Sequence, residues 1–214
     1  ADGQTVKRLV DKSGNGYVLT EATNGPVYRT SGGKHWLEYN GTNSELTNTS
    51  TNVTNSIGEL TVFFAVNATT PAAEVFVFQA RDNSFTGRAA LSITSAGHPV
   101  IWASRVDGAA STTLSGLASK TGADKIIVGL IDYNNNDASI YDGSTSLNST
   151  TTMPSTAGVT GSTNGPLGLG VNGPGNGNYY SGRIYQALII NRLLTAGEKA
   201  DLGAYMATKS GATY

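Results

Sequence analysis

The sequence predicts an all-β fold: a two-sheet antiparallel sandwich with one C-terminal helix. Three observations predict it. Short runs dense in Val, Ile, Phe and Tyr recur between clusters of Gly, Asn, Ser and Thr, which is the pattern of strands bounded by turns. Only one stretch carries helical periodicity. The polar residues are mostly uncharged: Ser, Thr and Asn together number 65 and Gly 27, while charged residues are 14% of the 214, against ~25% in an average soluble protein.

Taken in order, the strand candidates are Val18-Leu19, Val27 to Arg29, Trp36 to Tyr39, Leu60 to Val66 and Val75 to Ala80. Ala89 to Thr94, Val100 to Ala103, Ile126 to Asp132, Ala138 to Tyr141, Leu167 to Val171 and Arg183 to Ile190 complete the set. Most are too short for helices and rich in β-branched or aromatic residues. The turns between them are specific. Asn15-Gly16, Asn40-Gly41 and Asp142-Gly143 tolerate the positive φ that tight turns need. Asp132 to Asp137 separates two strands and reads as a hairpin loop. The Gly- and Asn-rich segment Asn172 to Tyr180 reads as an exposed loop.

The helix, about residues 195–210, opens on Thr195-Ala-Gly-Glu198, a capping box in which each side chain satisfies an orphan amide of the first turn. Leu202, Tyr205, Met206 and Lys209 then follow at i, i+3, i+4, i+7, predicting one buried face. Gly211 stands where a C-cap belongs. About ten strands followed by one helix make a sandwich with the helix docked at an edge. The expected organisation is one domain over residues 1–214, part of a longer chain.

Composition also excludes function classes. Lys+Arg is 14 and Asp+Glu 15, so no basic excess exists to release counterions from a nucleic acid. There is no Cys, which removes disulfides, thiolate metal sites and a Cys nucleophile. No apolar run approaches ~18 residues, so no membrane-spanning helix is expected.

Several motifs carry a family likeness. Asp11-Lys-Ser-Gly-Asn-Gly16, Ala22-Thr23, Pro26-Val-Tyr-Arg29 and His35-Trp-Leu-Glu-Tyr-Asn-Gly41 resemble the entry of concanavalin-A-like, laminin-G-like jelly-roll domains. Gly182 to Asn191 followed by Leu194-Thr195 and the helix resembles that family's final strand and closing helix. With Asp-Gly-Gln-Thr-Val ahead of the first turn, the chain is most similar to versions found in bacteriophage tail or capsid-associated proteins. There a further strand precedes this point. Starting at Ala1 would leave that strand's place open, to be filled by a longer chain or a partner.

The resemblance implies the jelly-roll fold but many functions. Hydrolases on it carry a Glu-x-Asp-x-x-Glu strand. Here Glu21, Glu38, Glu45, Glu59, Glu74 and Glu198 stand isolated, so no catalytic residue is expected. Glu38 alternates with Trp36 on one strand face, without a second acid beside it. His35 and His98 are too few and too scattered for zinc and lack the partners of a triad. Gly168, Gly170 and Gly173 spell G-x-G-x-x-G, but a loop follows where a dinucleotide site needs a helix. Calcium is the possible metal, since relatives hold it at loop ends. Asp132, Asn134 and Asn136 mimic the first three ligands of a calcium loop, yet the glycine and distal Glu are missing. Phe63, Phe64, Phe76 and Phe78 read as core.

The candidate ligand-binding residues are therefore Tyr179, Tyr180, Asn172, Asn176 and Asn178, an aromatic and amide group suited to a sugar. The function expected is a non-catalytic virion structural or adhesion module, of tail or capsid-decoration type, which binds cell-surface glycan. Its partners would be other virion proteins and further copies of itself, as a homo-oligomer, with no nucleic acid and no membrane insertion. A secreted bacterial carbohydrate-binding module is the alternative, and a glycan hydrolase or lyase a third.

Overall fold

The structure is a computed structural model that describes residues 1–48, 57–81, 88–104, 112–151, 167–173 and 177–214. In chain order its strands are β1 (Arg8–Val10), β2 (Val18–Thr20), β3 (Val27–Ser31), β4 (Lys34–Asn40), β5 (Leu46–Asn48) and β6 (Glu59–Ala68). Then come β7 (Val75–Arg81), β8 (Arg88–Ile93), β9 (Pro99–Ser104), β10 (Thr112–Ser115) and β11 (Lys125–Asp132). The last are β12 (Asp137–Asp142), β13 (Thr145–Thr150), β14 (Leu167–Leu169) and β15 (Ser181–Ile190), followed by helix α1 (Ala196–Ser210).

All pairings between these strands are antiparallel. One sheet has seven strands, ordered β13-β12-β11-β6-β15-β4-β3. The other has eight, ordered β1-β2-β5-β14-β7-β8-β9-β10. Their inner faces meet in one core, where Leu60, Val62, Phe64 and Val66 of β6 pack with Val77, Phe78, Leu91 and Ile101 of the opposite sheet. Phe64 and Phe78 stack across the sandwich with ring centroids 5.7 Å apart.

The helix does not sit at an edge as expected. It lies on the outer face of the seven-stranded sheet and closes a second core of Phe63, Ala65, Ile126, Val128, Leu194 and Met206. Strand β6 is thus buried on both faces, which is why it reads as a continuous apolar run instead of alternating. The helix turns Met206 and Gly203 inward, while Tyr205, expected on the buried face, is 52% exposed. Its capping box forms as predicted, and Gly211 caps it at φ 79°.

The start of the chain covers a sheet edge. Residues 3–6 run along β3, with Gly3 N donating to Tyr28 O, Tyr28 N to Gln4 O and Val6 N to Pro26 O. Residues 3–6 thus cover the β3 edge of the seven-stranded sheet.

Candidate functional site

Where the helix ends, the outer face of the seven-stranded sheet changes from apolar to polar. Directly opposed residues of antiparallel strands share a face. Register places Val27 opposite Glu38, Glu38 opposite Arg183, and Arg183 opposite Asn67. Asp124 just precedes Lys125, which pairs with Val66 beside Asn67. One row across four strands and a strand entry thus reads Val27, Glu38, Arg183, Asn67, Asp124. Asn67 lies two residues from Ala65, which is under the helix, so the row is on the outer face. A parallel row toward the helix holds Arg29 opposite Trp36. A bulge between Ile184 and Gln186 leaves Tyr185 unpaired with β6, and its ring meets Trp36 at 5.9 Å.

Two adjoining clefts open along this face. The larger, about 500 Å³, runs from Glu38 and Arg29 over Tyr39 and Asn40 to Thr23, Asn24, Asn43 and Thr5. The smaller, about 230 Å³, lies on the other side of Glu38 and is lined by Asn67, Thr69, Ser181, Gly182 and Arg183. Glu38 and Tyr39 border both. Gly182 is required there: at φ 135° an added Cβ would sit 2.2 Å from the Asn67 carbonyl oxygen.

The charges are ordered. Arg29 Nε donates to Glu38 Oε2 at 2.8 Å, and Arg29 also pairs with Asp2 at 3.9 Å. Asp124 Oδ1 accepts from Asn67 Nδ2 and from the Tyr185 hydroxyl, each at 2.8 Å. Lys34 Nζ lies 3.5 Å from Asp124 Oδ2. Partial burial pushes the Asp124 carboxyl up, but the Asn67, Tyr185 and Lys34 contacts outweigh it and hold the carboxyl below its ordinary value. Arg183 stacks its guanidinium over Trp36, 4.9 Å from the ring centroid. Contact with the Tyr185 hydroxyl raises its pKa further. The result is a shallow polar groove lined by polar and charged residues, with Trp36 stacked against Arg183, suited to a hydroxyl-rich ligand.

The residues expected to bind ligand lie elsewhere. Asn172 accepts from Arg88 Nη2 at 3.4 Å, and Asn178, at φ 52°, accepts from Phe76 N at 3.2 Å. Tyr179 forms a parallel bridge with Phe76. Asn178 and Tyr179 border β7, and Asn172 borders β8, in the other sheet. Asn176 lies outside the described residues. Tyr180, expected in an exposed loop, is fully buried: it packs edge-on against Tyr39 at 5.9 Å, and its hydroxyl donates to Arg183 O at 3.2 Å. It supports the floor of the smaller cleft from inside.

The Asp132 loop is a hairpin turn, as its position predicted. Asp132 Oδ1 accepts from Asn134 N and Asn135 N at 2.9 and 3.0 Å, and Oδ2 from Asn135 Nδ2 at 2.7 Å. Asn136 adopts φ 63° to complete the turn. Those bonds engage both carboxylate oxygens with the loop's own amides. Among the described residues no cluster of three or more His, Asp or Glu could hold a metal. His35 Nδ1 is 2.6 Å from the Tyr28 hydroxyl.

No family model matches the chain, and no curated protein matches it. Solved structures do. The binding domain of Paraclostridial Mosquitocidal Protein 1 is similar at TM-score 0.70 and 17% identity, over 95% of this chain and 51% of that one. The Ruminococcus gnavus IT-sialidase CBM40 bound to α2,3-sialyllactose is similar at TM-score 0.65 and 13% identity, over 78% of this chain and 96% of that one. A heptameric SAP-like pentraxin from Limulus polyphemus is similar at 0.59 and 12%, over 78% and 80%. The chain is a jelly-roll sandwich. At these identities the likeness is one of fold. Among the described residues, no helix of the sandwich is long and apolar enough to cross a membrane.

Proposed function

We propose that this jelly-roll domain is a non-catalytic glycan-binding module and that the groove around Glu38 is its binding surface. One observation carries the reading: two polar clefts share Glu38 and Tyr39 in their lining, with Asn67 held by Asp124 and Arg183 stacked on Trp36 beside them. Aromatic faces take the C–H surfaces of sugars, while amides and guanidinium groups take hydroxyls. Binding modules among the structural neighbours support the same reading.

The carboxylates support binding over hydrolysis. A general acid needs a raised pKa, whereas Asp124 is held below its ordinary value and Glu38 is engaged by Arg29. The sequence resemblance to phage tail and capsid-associated domains supports a virion setting, where repeated copies would make weak glycan contacts strong. A secreted bacterial module is the second reading, supported by the CBM40 likeness, which spans 96% of that module.

A glycan array probed with the whole chain, with calcium and with chelator, tests the proposal. Binding is expected in both conditions and lost in Trp36→Ala. An array without any hits, or a Trp36→Ala protein that keeps every hit, would sink it.

A further inference from the structure

We propose that the smaller cleft takes a sugar carboxylate and that Arg183 recognises it. This rests on the glycan-binding reading and names the ligand class of the same groove. Three cations stand on this face, and two are already paired: Arg29 with Glu38 and Asp2, Lys34 with Asp124. Arg183 makes no ion pair among the described residues. It is nevertheless held in place. Trp36 supports one face of its guanidinium at 4.9 Å, and its strand is pinned by the Tyr180 hydroxyl on its own carbonyl at 3.2 Å. The Tyr185 hydroxyl also contacts this guanidinium, and with no carboxylate in ion-pair contact its remaining N–H donors are open to an anionic partner.

The surroundings select among anions. The cleft is about 230 Å³ and is lined by the Asn67 amide and the Thr69 and Ser181 side chains, with Glu38 on its rim. Amides and hydroxyls suit the hydroxyls that flank a carboxylate on a sugar ring. Glu38 and Asp124 place two negative charges near the cation, which disfavours a doubly charged phosphate or sulfate cluster and leaves room for one negative charge. The ligand class is therefore a glycan with a single carboxylate per recognised unit. Two sources offer that chemistry: uronic acids and nine-carbon sialic acids.

The test measures calorimetric affinity of the whole chain for sialyllactose, a glucuronate-containing oligosaccharide and neutral lactose. One acidic ligand is expected to bind about tenfold or more tighter than lactose, the factor that one charge-assisted bidentate contact supplies. Arg183→Gln should erase that preference, while Arg183→Lys, which keeps the charge and loses the fork, keeps part of it. A thermal melt and near-UV spectrum establish that each variant is folded, and if Arg183→Gln does not fold, a reduced preference in Arg183→Lys decides. Whichever acid binds tighter identifies the source. Equal affinity for lactose and both acids would overturn the carboxylate assignment and leave the glycan reading standing, as would a preference that survives in folded Arg183→Gln or is undiminished in folded Arg183→Lys. Binding of none of the three, with an empty array, would overturn both.

Discussion

Replacing Asp124 by Ala should loosen the groove at its centre, and the structure gives the size of the effect. The side chain is 21% exposed. It accepts two hydrogen bonds at 2.8 Å, from Asn67 and Tyr185, each worth roughly 1.5–3 kcal/mol to an ionised acceptor. Lys34 adds little, because its side chain is 39% exposed and such pairs contribute at most about 1 kcal/mol. The two bonds share one oxygen, so they are not additive, and Asp124→Ala should cost about 3 kcal/mol. Asp124→Asn keeps an acceptor and should cost about 1 kcal/mol. The pH dependence has a definite sign. The folded carboxyl titrates below its ordinary 3.8, so its stabilising contribution is fully present above that value. It shrinks as pH falls below 3.8 and is gone once pH passes the folded pKa. Urea unfolding of the parent and both variants, between about pH 7 and pH 3, measures this. A cost below about 1 kcal/mol for Asp124→Ala at neutral pH, or a cost that does not change on acidification, would refute the reasoning.

Three further outcomes can be checked. Glu198 should titrate near 2, because Arg192 and the Thr195 backbone and hydroxyl bind its carboxylate; a carbon-detected NMR titration of Arg192→Ala should move the midpoint upward, and an unmoved midpoint denies the pairing. Gly203→Ala should destabilise by about 1–3 kcal/mol despite better helix propensity, since the new Cβ would fall 1.9 Å from Tyr214 Cε2. A melt showing Gly203→Ala more stable than the parent removes Tyr214 from that position. Asp142 accepts Lys120 at 2.8 Å and Lys125 at 3.3 Å, all three side chains at most 27% exposed, so Asp142→Ala should cost about 3 kcal/mol in chemical unfolding, and a loss under about 1 kcal/mol counts against a buried triad.

The strands that carry the core were legible because burial writes itself into composition. All eleven predicted runs became strands, and LTVFFAV and IIVGLID, buried on two faces, were the plainest. Strands β1, β5, β10 and β13 were not foreseen. The strand TSLNST of β13 lies at a sheet edge and carries mostly small polar residues, so neither hydrophobicity nor alternation marks it. The site was legible only in part. Trp36 and Glu38 were seen to share a strand face; the structure puts Glu38 in the lining of both clefts and stacks Trp36 against Arg183. Arg29, Asn67, Asp124 and Arg183 were missed because they come from four separate chain segments and meet only through register. The available signal was the likeness of the Gly182-Arg183 strand and the Leu37 to Gly41 strand to family elements, and their pairing is seen only in the structure. Tyr180 misled because a loop-like sequence of Gly and Asn surrounds it, while the chain turns inward to pack it on Tyr39.

The helix sets where the groove begins, and Lys34 is the joint between them. An added Cβ at Gly211 would fall 1.9 Å from Lys34 Nζ, so this ammonium lies against the helix C-terminus, where the backbone dipole favours a cation. The same ammonium faces Asp124 at 3.5 Å. Strand β6 records the boundary in three residues: Phe63 and Ala65 are buried beneath the helix, and Asn67, two places further, reaches Asp124 in the open groove. A chain with only 29 charged side chains sets six of them, Asp2, Arg29, Lys34, Glu38, Asp124 and Arg183, on this one face. Coverage by the helix ends where the charges start, and among the described residues Arg183 is the one of these six without an ion pair, which is why the proposal of an acidic ligand centres on it.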